Sequence, residues 1–246
     1  MSAIAPSAGG VLARALRSAG TDRAFLVPGE SYLPLMEGMR EQGIEAVVCR
    51  NEAGASYMAL ADAAVTGRPG VAMVTRAPGA ANAMIGVSAA WQCGAPMILM
   101  VGLVRTEERD RCSFQEFDLR GWFGTTAKRV LVLDDPDRAH AVVEEAMRVA
   151  VSGRPGPVVI GLPEDVLELP SAAESLSQTA TISDEPSQAA VAEAARMLEG
   201  SERPVILVGG LPWSPRASSD RARFAERHGI PVLGDFRAGD RLPADS

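Results

Sequence analysis

The chain has 246 residues, a formal net charge of −7, and only 4% aromatic residues against a high content of small and aliphatic ones. That is enough sequence for one or two domains with a real core, and the acidic balance, with no basic run or stripe, excludes nucleic acid as a partner. Met1 to Gly10 lacks the charged start and apolar centre of a secretory signal, and the longest apolar stretch, Ala95 to Val104, falls short of the roughly 20 residues needed to cross a bilayer, so the expectation is a cytoplasmic protein with no membrane partner.

Val11, Leu12, Ala15 and Leu16 recur at helical spacing and Gly20 supplies a stop. Arg23 to Val27 reads as a buried strand ending at Pro28-Gly29. Ser31 is the predicted cap of a helix running to about Gln42. Glu45 to Cys49 is a second strand, and Glu52 to Thr66 a helix stopped by Gly67. Val71 to Thr75, Met97 to Gly102, Val130 to Leu133 and Pro157 to Gly161 are further strands. Helices over Gly79 to Trp91 and Pro136 to Val151 alternate with them. Regular strand–helix alternation predicts an α/β fold, a doubly wound parallel sheet with helices on both faces.

Residues 171–188 break the pattern with Ser, Thr, Ala and acidic residues and read as an exposed linker. The expected organisation is therefore a first domain over 1–170, the linker, and an α/β domain over 189–246. The second domain has a helix near Ala189 to Glu199, a strand at Pro204 to Val208, a helix to His228 and a strand at Pro231 to Leu233. Two strands make a poor free-standing parallel sheet, so this domain is expected to be the start of a longer one. Cys49, Cys93 and Cys112 are odd in number, with no CxxC pair. They are predicted to be buried reduced thiols rather than a disulfide or zinc set. His140 and His228 are isolated, and no metal site is expected in the chain.

Three strand ends carry unusual residues: Val27-Pro28-Gly29-Glu30, Arg50-Asn51-Glu52, and Thr75-Arg76-Ala77-Pro78-Gly79-Ala80-Ala81-Asn82. In an open parallel sheet they converge on one crevice beyond the carboxyl ends of the strands. Glu52 opens a helix and is followed by Ala53, Gly54 and Ala55. A carboxylate there is favoured by the helix dipole alone. Amid Ala and Gly it can equally sit in a close-packed pocket of the kind that tunes an acid for proton chemistry.

Taken in order, Phe25 to Gly29, Arg50-Asn51-Glu52, Gly67-Arg68-Pro69-Gly70, Thr75 to Asn82, Phe114-Gln115-Glu116 and Gly153 to Pro157 through Val166 resemble the pyrimidine-binding domain of thiamine-diphosphate enzymes. The likeness is to the group of acetolactate synthase, pyruvate oxidase and benzoylformate decarboxylase. It resumes over Arg203 to Pro243 as the start of the family's middle domain. The resemblance implies that Glu52 is the glutamate that hydrogen-bonds the cofactor's ring nitrogen and makes its 4′-amino group basic enough to take the thiazolium proton. It further implies that Pro28, Gly29, Thr75, Pro78, Gly79 and Asn82 line the pyrimidine or order its loops, and that Phe114 and Gln115 approach a 2-oxo acid substrate.

The chain departs from the family pattern at Asn51, where relatives often have His, at Arg76, where a small residue is usual, and at Gly102-Leu103, where relatives often read Gly-Gln. Arg76 would shrink the pocket or bind a substrate carboxylate. The Gly-Asp-Gly…Asn motif through which the family holds diphosphate and Mg²⁺ is absent. The resemblance thus implies that Mg²⁺ comes with a C-terminal domain and leaves FAD undecided. It also implies a homodimer or homotetramer for the complete protein. Two alternatives stay open: a non-catalytic relative that kept the fold, and one half of a split enzyme.

Overall fold

The computed structural model describes residues 5–172, 185–210 and 213–237. The chain divides into two compact units, Met1–Thr181 and Ile182–Ser246. The first contains, in order, α1 (Ala8–Ser18), β1 (Arg23–Leu26), a 3-10 turn at Glu30–Tyr32, α2 (Leu33–Glu41), β2 (Glu45–Val48), α3 (Glu52–Thr66) and β3 (Gly70–Thr75). It continues with α4 (Arg76–Cys93), β4 (Met97–Leu103), α5 (Leu119–Phe123), β5 (Arg129–Val132), α6 (Ala139–Val151), β6 (Pro157–Pro163) and α7 (Glu164–Glu168). Among the described residues its strands form one six-stranded parallel sheet in the order β2-β1-β3-β4-β6-β5.

Strand residues alternate between two buried layers, as a pleat with period two requires. Leu26, Val71, Met73, Ile98, Met100, Val158 and Ile160 pack with Leu12 and Leu16 of α1, Leu35 and Met39 of α2, and Val142 and Val143 of α6. The intervening residues Ala72, Val74, Leu99, Val101 and Val159 are buried too. They lie on the face covered by α3 and α4, whose buried positions are mostly alanine: Ala55, Ala59 and Ala63 on α3, Ala80, Ala83 and Ala90 on α4. Small side chains let these helices lie close. A Cβ at Gly70 would fall on the Ala59 carbonyl, and one at Gly86 would overlap Ser56.

The two Gly-Arg-Pro-Gly segments clamp the amino edge of this sheet. Arg68 donates to the Gly20 carbonyl and, at 3.0 Å, to Asp22. Its guanidinium holds the Asp22 carboxyl below the usual carboxylate range. Arg154 donates to the carbonyls of Trp91 and Gln92 at 2.7 and 2.9 Å, satisfying the C-terminal end of α4.

Several local expectations change. Helix α1 begins at Ala8, capped by Ser7, whose hydroxyl accepts from the Gly10 N–H. Ser31 caps nothing: it lies in the 3-10 turn, and α2 starts at Leu33 with Pro34 in its first turn. Helix α4 begins at Arg76 rather than Gly79, because a first-turn proline gives up only an N–H that has no helical acceptor. Pro136–Arg138 is a 3-10 turn leading into α6. Short α5 and α7 were not anticipated. Cys49 is buried, but Cys93 is partly exposed at the end of α4 and Cys112 is exposed in the irregular segment between β4 and α5.

The second unit holds α8 (Gln188–Glu199), β7 (Ile206–Val208), α9 (Pro215–His228) and β8 (Val232–Gly234), with β7 and β8 paired in parallel. Of the expected linker, 173–184 lies outside the described residues. No helix among the described residues is long and apolar enough to cross a membrane.

Gly70→Ala forces the Cβ into the backbone of α3, which has no flexible end to yield. The expected cost is about 2–3 kcal/mol, read as a lower urea midpoint in unfolding followed by circular dichroism. An unchanged midpoint would mean that α3 is not seated this closely.

Candidate functional site

From β1 the chain moves outward to β2, then returns past β1 to build β3 and β4 on the other side. The direction of winding therefore reverses between β1 and β3, and ligands in such sheets bind beyond the carboxyl ends at the reversal. Pro28 and Gly29 follow β1, Asn51 and Glu52 follow β2, and Thr75 and Arg76 follow β3, so all three predicted segments border this one crevice.

Gly29 packs directly on Thr75: a Cβ there would come within 2.6 Å of the Thr75 Cβ. The Thr75 hydroxyl pairs with that of Ser31, which is fully buried. The next residue, Tyr32, is also fully buried and donates its phenol to the Val27 carbonyl. Burial first, and then the charge of Glu52, push that phenol above its ordinary value of 10. Ser31 was read from the sequence only as a helix cap, and Tyr32 carried no assignment there.

Glu52 sits in the first turn of α3 and is partly buried rather than enclosed in a pocket of this chain. Asn51 caps the helix, its side-chain oxygen accepting from the Ala53 N–H at 2.8 Å. That gives the departure from His a physical role, since Asn is among the best N-cap residues. Asn82, two turns into α4, donates its amide to Glu52 Oε2 at 2.9 Å. Glu52 Oε1 lies 3.5 Å from where a Gly79 side chain would begin. Glycine there leaves one flank of the carboxylate open while Asn82 fixes the other oxygen. Pro28 and Pro78 are exposed on the rim.

Arg76 has φ 46, a left-handed conformation uncommon for a side-chain-bearing residue. Its guanidinium pairs with Glu164 at the start of α7, at 2.9 Å, and lies 3.8 Å from Glu30. Arg105 continues the row to Glu164 and Glu168, at 3.4 and 3.2 Å. Glu164 belongs to a segment read as part of the resemblance, but its pairing with Arg76 had no sequence signal. Phe114 is exposed, and the Gln115 carbonyl accepts from the Ala77 N–H at 3.0 Å, which holds that loop beside the start of α4. Among the described residues no group of His, Cys, Asp and Glu is arranged to hold a metal ion.

Residues 6–122 match the family model described as thiamine pyrophosphate enzyme, N-terminal TPP binding domain, and residues 191–246 match that of the central domain of the same enzymes. Thiamine pyrophosphate is thiamine diphosphate by its other name. The chain is 33% identical to the acetolactate synthase large subunit of Parasynechococcus marenigrum over 96% of its own length and 41% of that protein. It is 30% identical to acetolactate synthase isozyme 2 large subunit of Escherichia coli, and 30% to the probable acetolactate synthase large subunit of Methanocaldococcus jannaschii. Each of these two matches covers 94% of this chain and 40% of the relative. The chain thus spans about two fifths of the length of the relatives it matches.

Tyr32 makes the site's packing pH-sensitive. The folded chain keeps a phenolic proton that the unfolded chain releases above pH 10, so this contribution to stability is complete below pH 10 and is lost as pH rises beyond it. Tyr32→Phe is expected to lower stability by about 1 kcal/mol at neutral pH, through the Val27 carbonyl left unpaired. It should also flatten the decline in melting temperature above pH 10. An equal decline in both proteins would remove Tyr32 from this role.

Proposed function

Because the chain belongs to the thiamine-diphosphate-dependent enzymes, carrying their N-terminal TPP-binding domain and part of their central domain, we propose that it forms the cofactor-activating part of a 2-oxo acid decarboxylase or carboligase. The observation that carries this reading is Glu52 at the reversal of the sheet, one oxygen fixed by Asn82 and the other flanked by a glycine. A flat aminopyrimidine ring fits against a carboxylate that is held on one side and uncovered on the other. Thiamine diphosphate, when bound, supplies the carbon nucleophile that attacks 2-oxo acids.

Each residue then has a task. Glu52 holds a proton at its open oxygen against the ring nitrogen, and Asn82 keeps the carboxylate in that orientation. Gly79 would leave room for the ring, and Gly29 and Thr75, packed on one another, would line the site beside it. Pro28 and Pro78 stiffen the two rims. Arg76, neutralised by Glu164, narrows the crevice on the substrate side, where Phe114 and Gln115 stand.

Residues 1–170 serve in this reading as the pyrimidine-binding domain and 189–246 as the start of the central one, joined by 171–188. The diphosphate and its Mg²⁺ are held by a part of the assembly outside these residues. The outward faces of α3 and α4 support that view: Tyr57, Met58, Val65 and Ile85 lie exposed on helices with apolar residues on every side. A second copy in a homodimer or homotetramer covers them. Placing Glu at Ile85 should shift the full-length protein towards monomer in sedimentation velocity, and an unaltered distribution would locate the interface elsewhere.

Glu52→Gln keeps the shape and the Asn82 contact but removes the charge that holds the proton. In the full-length protein kcat is expected to fall by about 10²–10⁴-fold, with thiamine diphosphate still binding by calorimetry. Unchanged turnover would sink the mechanism. Failure of the unaltered protein to bind the cofactor would favour a relative that kept the fold without the activity.

A further inference from the structure

The segment between β4 and α5, residues 104–118, is long and lacks regular structure beyond one 3-10 turn at Thr106–Glu108. Three of its residues other than glycine lie in the left-handed region: Asp110 at φ 61, Cys112 at φ 54 and Gln115 at φ 65. Together with Arg76, these are all the non-glycine residues with positive φ in the described chain. Such conformations cost free energy wherever a Cβ is present and persist only when their surroundings hold them.

Glu116 supplies the hold. Its carboxylate accepts from three N–H groups within four residues of this backbone: that of Asp110 on Oε1, and those of Ser113 and Arg111 on Oε2, at 2.9 and 3.3 Å. The Glu116 N–H returns a bond to the Ser113 carbonyl at 3.0 Å, and the Ser113 hydroxyl donates to the Glu108 carbonyl. The loop is also fastened at its margins. The Thr106 N–H donates to Asp165 at 3.0 Å, Arg109 pairs with Asp134 at 2.7 Å, and the Gln115 carbonyl receives the Ala77 N–H at the start of α4. At the tip Phe114 stands 78% exposed, although the backbone beneath it is fixed.

We propose that Glu116 is a positioning residue: its carboxylate, gathering the N–H groups of Asp110, Arg111 and Ser113, holds the left-handed loop that fixes Phe114 and the Gln115 carbonyl beside the β3–α4 junction. An aromatic side chain carried on a fixed backbone beside a crevice is a partly preorganised contact for a substrate, and preorganisation saves ordering cost at binding. A carboxylate suits the task because hydrogen bonds to a charged acceptor are about twice as strong as neutral ones. The N–H groups of Ser113 and Asp110 hold the Glu116 carboxyl below its ordinary value of 4.5. This share of the hold is complete above that value and is lost as pH falls through the lowered one.

The link to substrate rests on the cofactor-activating reading above, but the link to loop order does not, and the test separates them. Hydrogen exchange on the full-length protein should show the amides of Asp110, Arg111, Ser113 and Ala77 exchanging on the order of tenfold faster in Glu116→Ala than in the unaltered protein. Glu116→Gln, which keeps one acceptor oxygen, should fall between them and serves if the alanine variant does not fold. Adding Cys112→Gly, which removes one left-handed penalty, should restore part of the protection. Equal exchange in all forms overturns the proposal. In steady-state assays with pyruvate as the probe 2-oxo acid, KM should rise by about tenfold in Glu116→Ala and be partly rescued by Cys112→Gly, with cofactor affinity unchanged. Faster exchange with an unchanged KM would leave Glu116 a purely structural anchor and overturn its positioning role. A protein that turns over normally with Glu52→Gln would instead overturn the cofactor reading and leave the exchange result standing.

Discussion

Helices α3 and α4 meet so closely that at Gly86 a single added carbon would overlap Ser56, and α3 lies so near the sheet that at Gly70 it would strike the Ala59 carbonyl. Alanine and glycine at these positions sacrifice buried apolar area, which elsewhere in the core is supplied by leucine and methionine. What the small residues secure is distance. With α3 drawn in against β1 and β3 and α4 against β3 and β4, the first turn of α3 and the second turn of α4 come within hydrogen-bond reach, and Glu52 meets Asn82 thirty residues away. A larger residue at Gly86 would push α4 from α3, and one at Gly70 would push α3 from the sheet, and either shift would be felt at the Glu52–Asn82 pair.

Charge takes over where packing ends. Beyond the carboxyl edge the segments are tied by alternating charges: Glu30, Arg76, Glu164, Arg105 and Glu168 in one row, and the carboxylate of Glu116 against a set of backbone N–H groups. Exposed ion pairs of this kind contribute little singly. Arg76 differs, because its guanidinium is largely buried and its backbone is held in the left-handed region. Its pairing with Glu164 joins the β3–α4 junction to α7, across the end of β4, and so fixes the width of the crevice on that side.

The strands were legible in the sequence because a parallel sheet covered on both faces needs unbroken apolar runs, and Met97 to Val101 or Pro157 to Ile160 admit few other readings. Helix α3 was legible from Asn51 to Gly67, since both ends carry the residues that helix ends favour. The start of α4 was not: Pro78 and Gly79 are loop residues by habit, and only the tertiary fold turns them into a first helical turn. Glu52, Gly29 and Thr75 were picked out by their positions at strand ends and by a family likeness. Asn82 was picked out with them, but Ser31 as the partner of Thr75 and Glu164 as the partner of Arg76 were not, because these pairs are 44 and 88 residues apart. Local pattern carries no trace of pairs at such separations. Glu116 was visible as part of a motif, yet its task depends on left-handed backbone at Asp110, Cys112 and Gln115, residue types that do not advertise it.

Glu52 and the exposed apolar residues of α3 belong to a single helix, and this ties the chemistry to the assembly. A carboxylate that must keep a proton on a bound ring works best where water cannot compete for either partner. In this chain Glu52 is only partly buried, and Tyr57 and Met58, one to two turns further along the same helix, are exposed. On the proposed reading, the surface that covers those residues also reaches round the N-terminal end of α3, where Glu52 opens the helix. On the proposed reading, association therefore does two things at once: it brings the diphosphate-binding half into place and it removes water from Glu52. The apolar outer face of α3 would then be part of the catalytic design, and an isolated chain would be inactive for want of a dry carboxylate as well as for want of half its cofactor site.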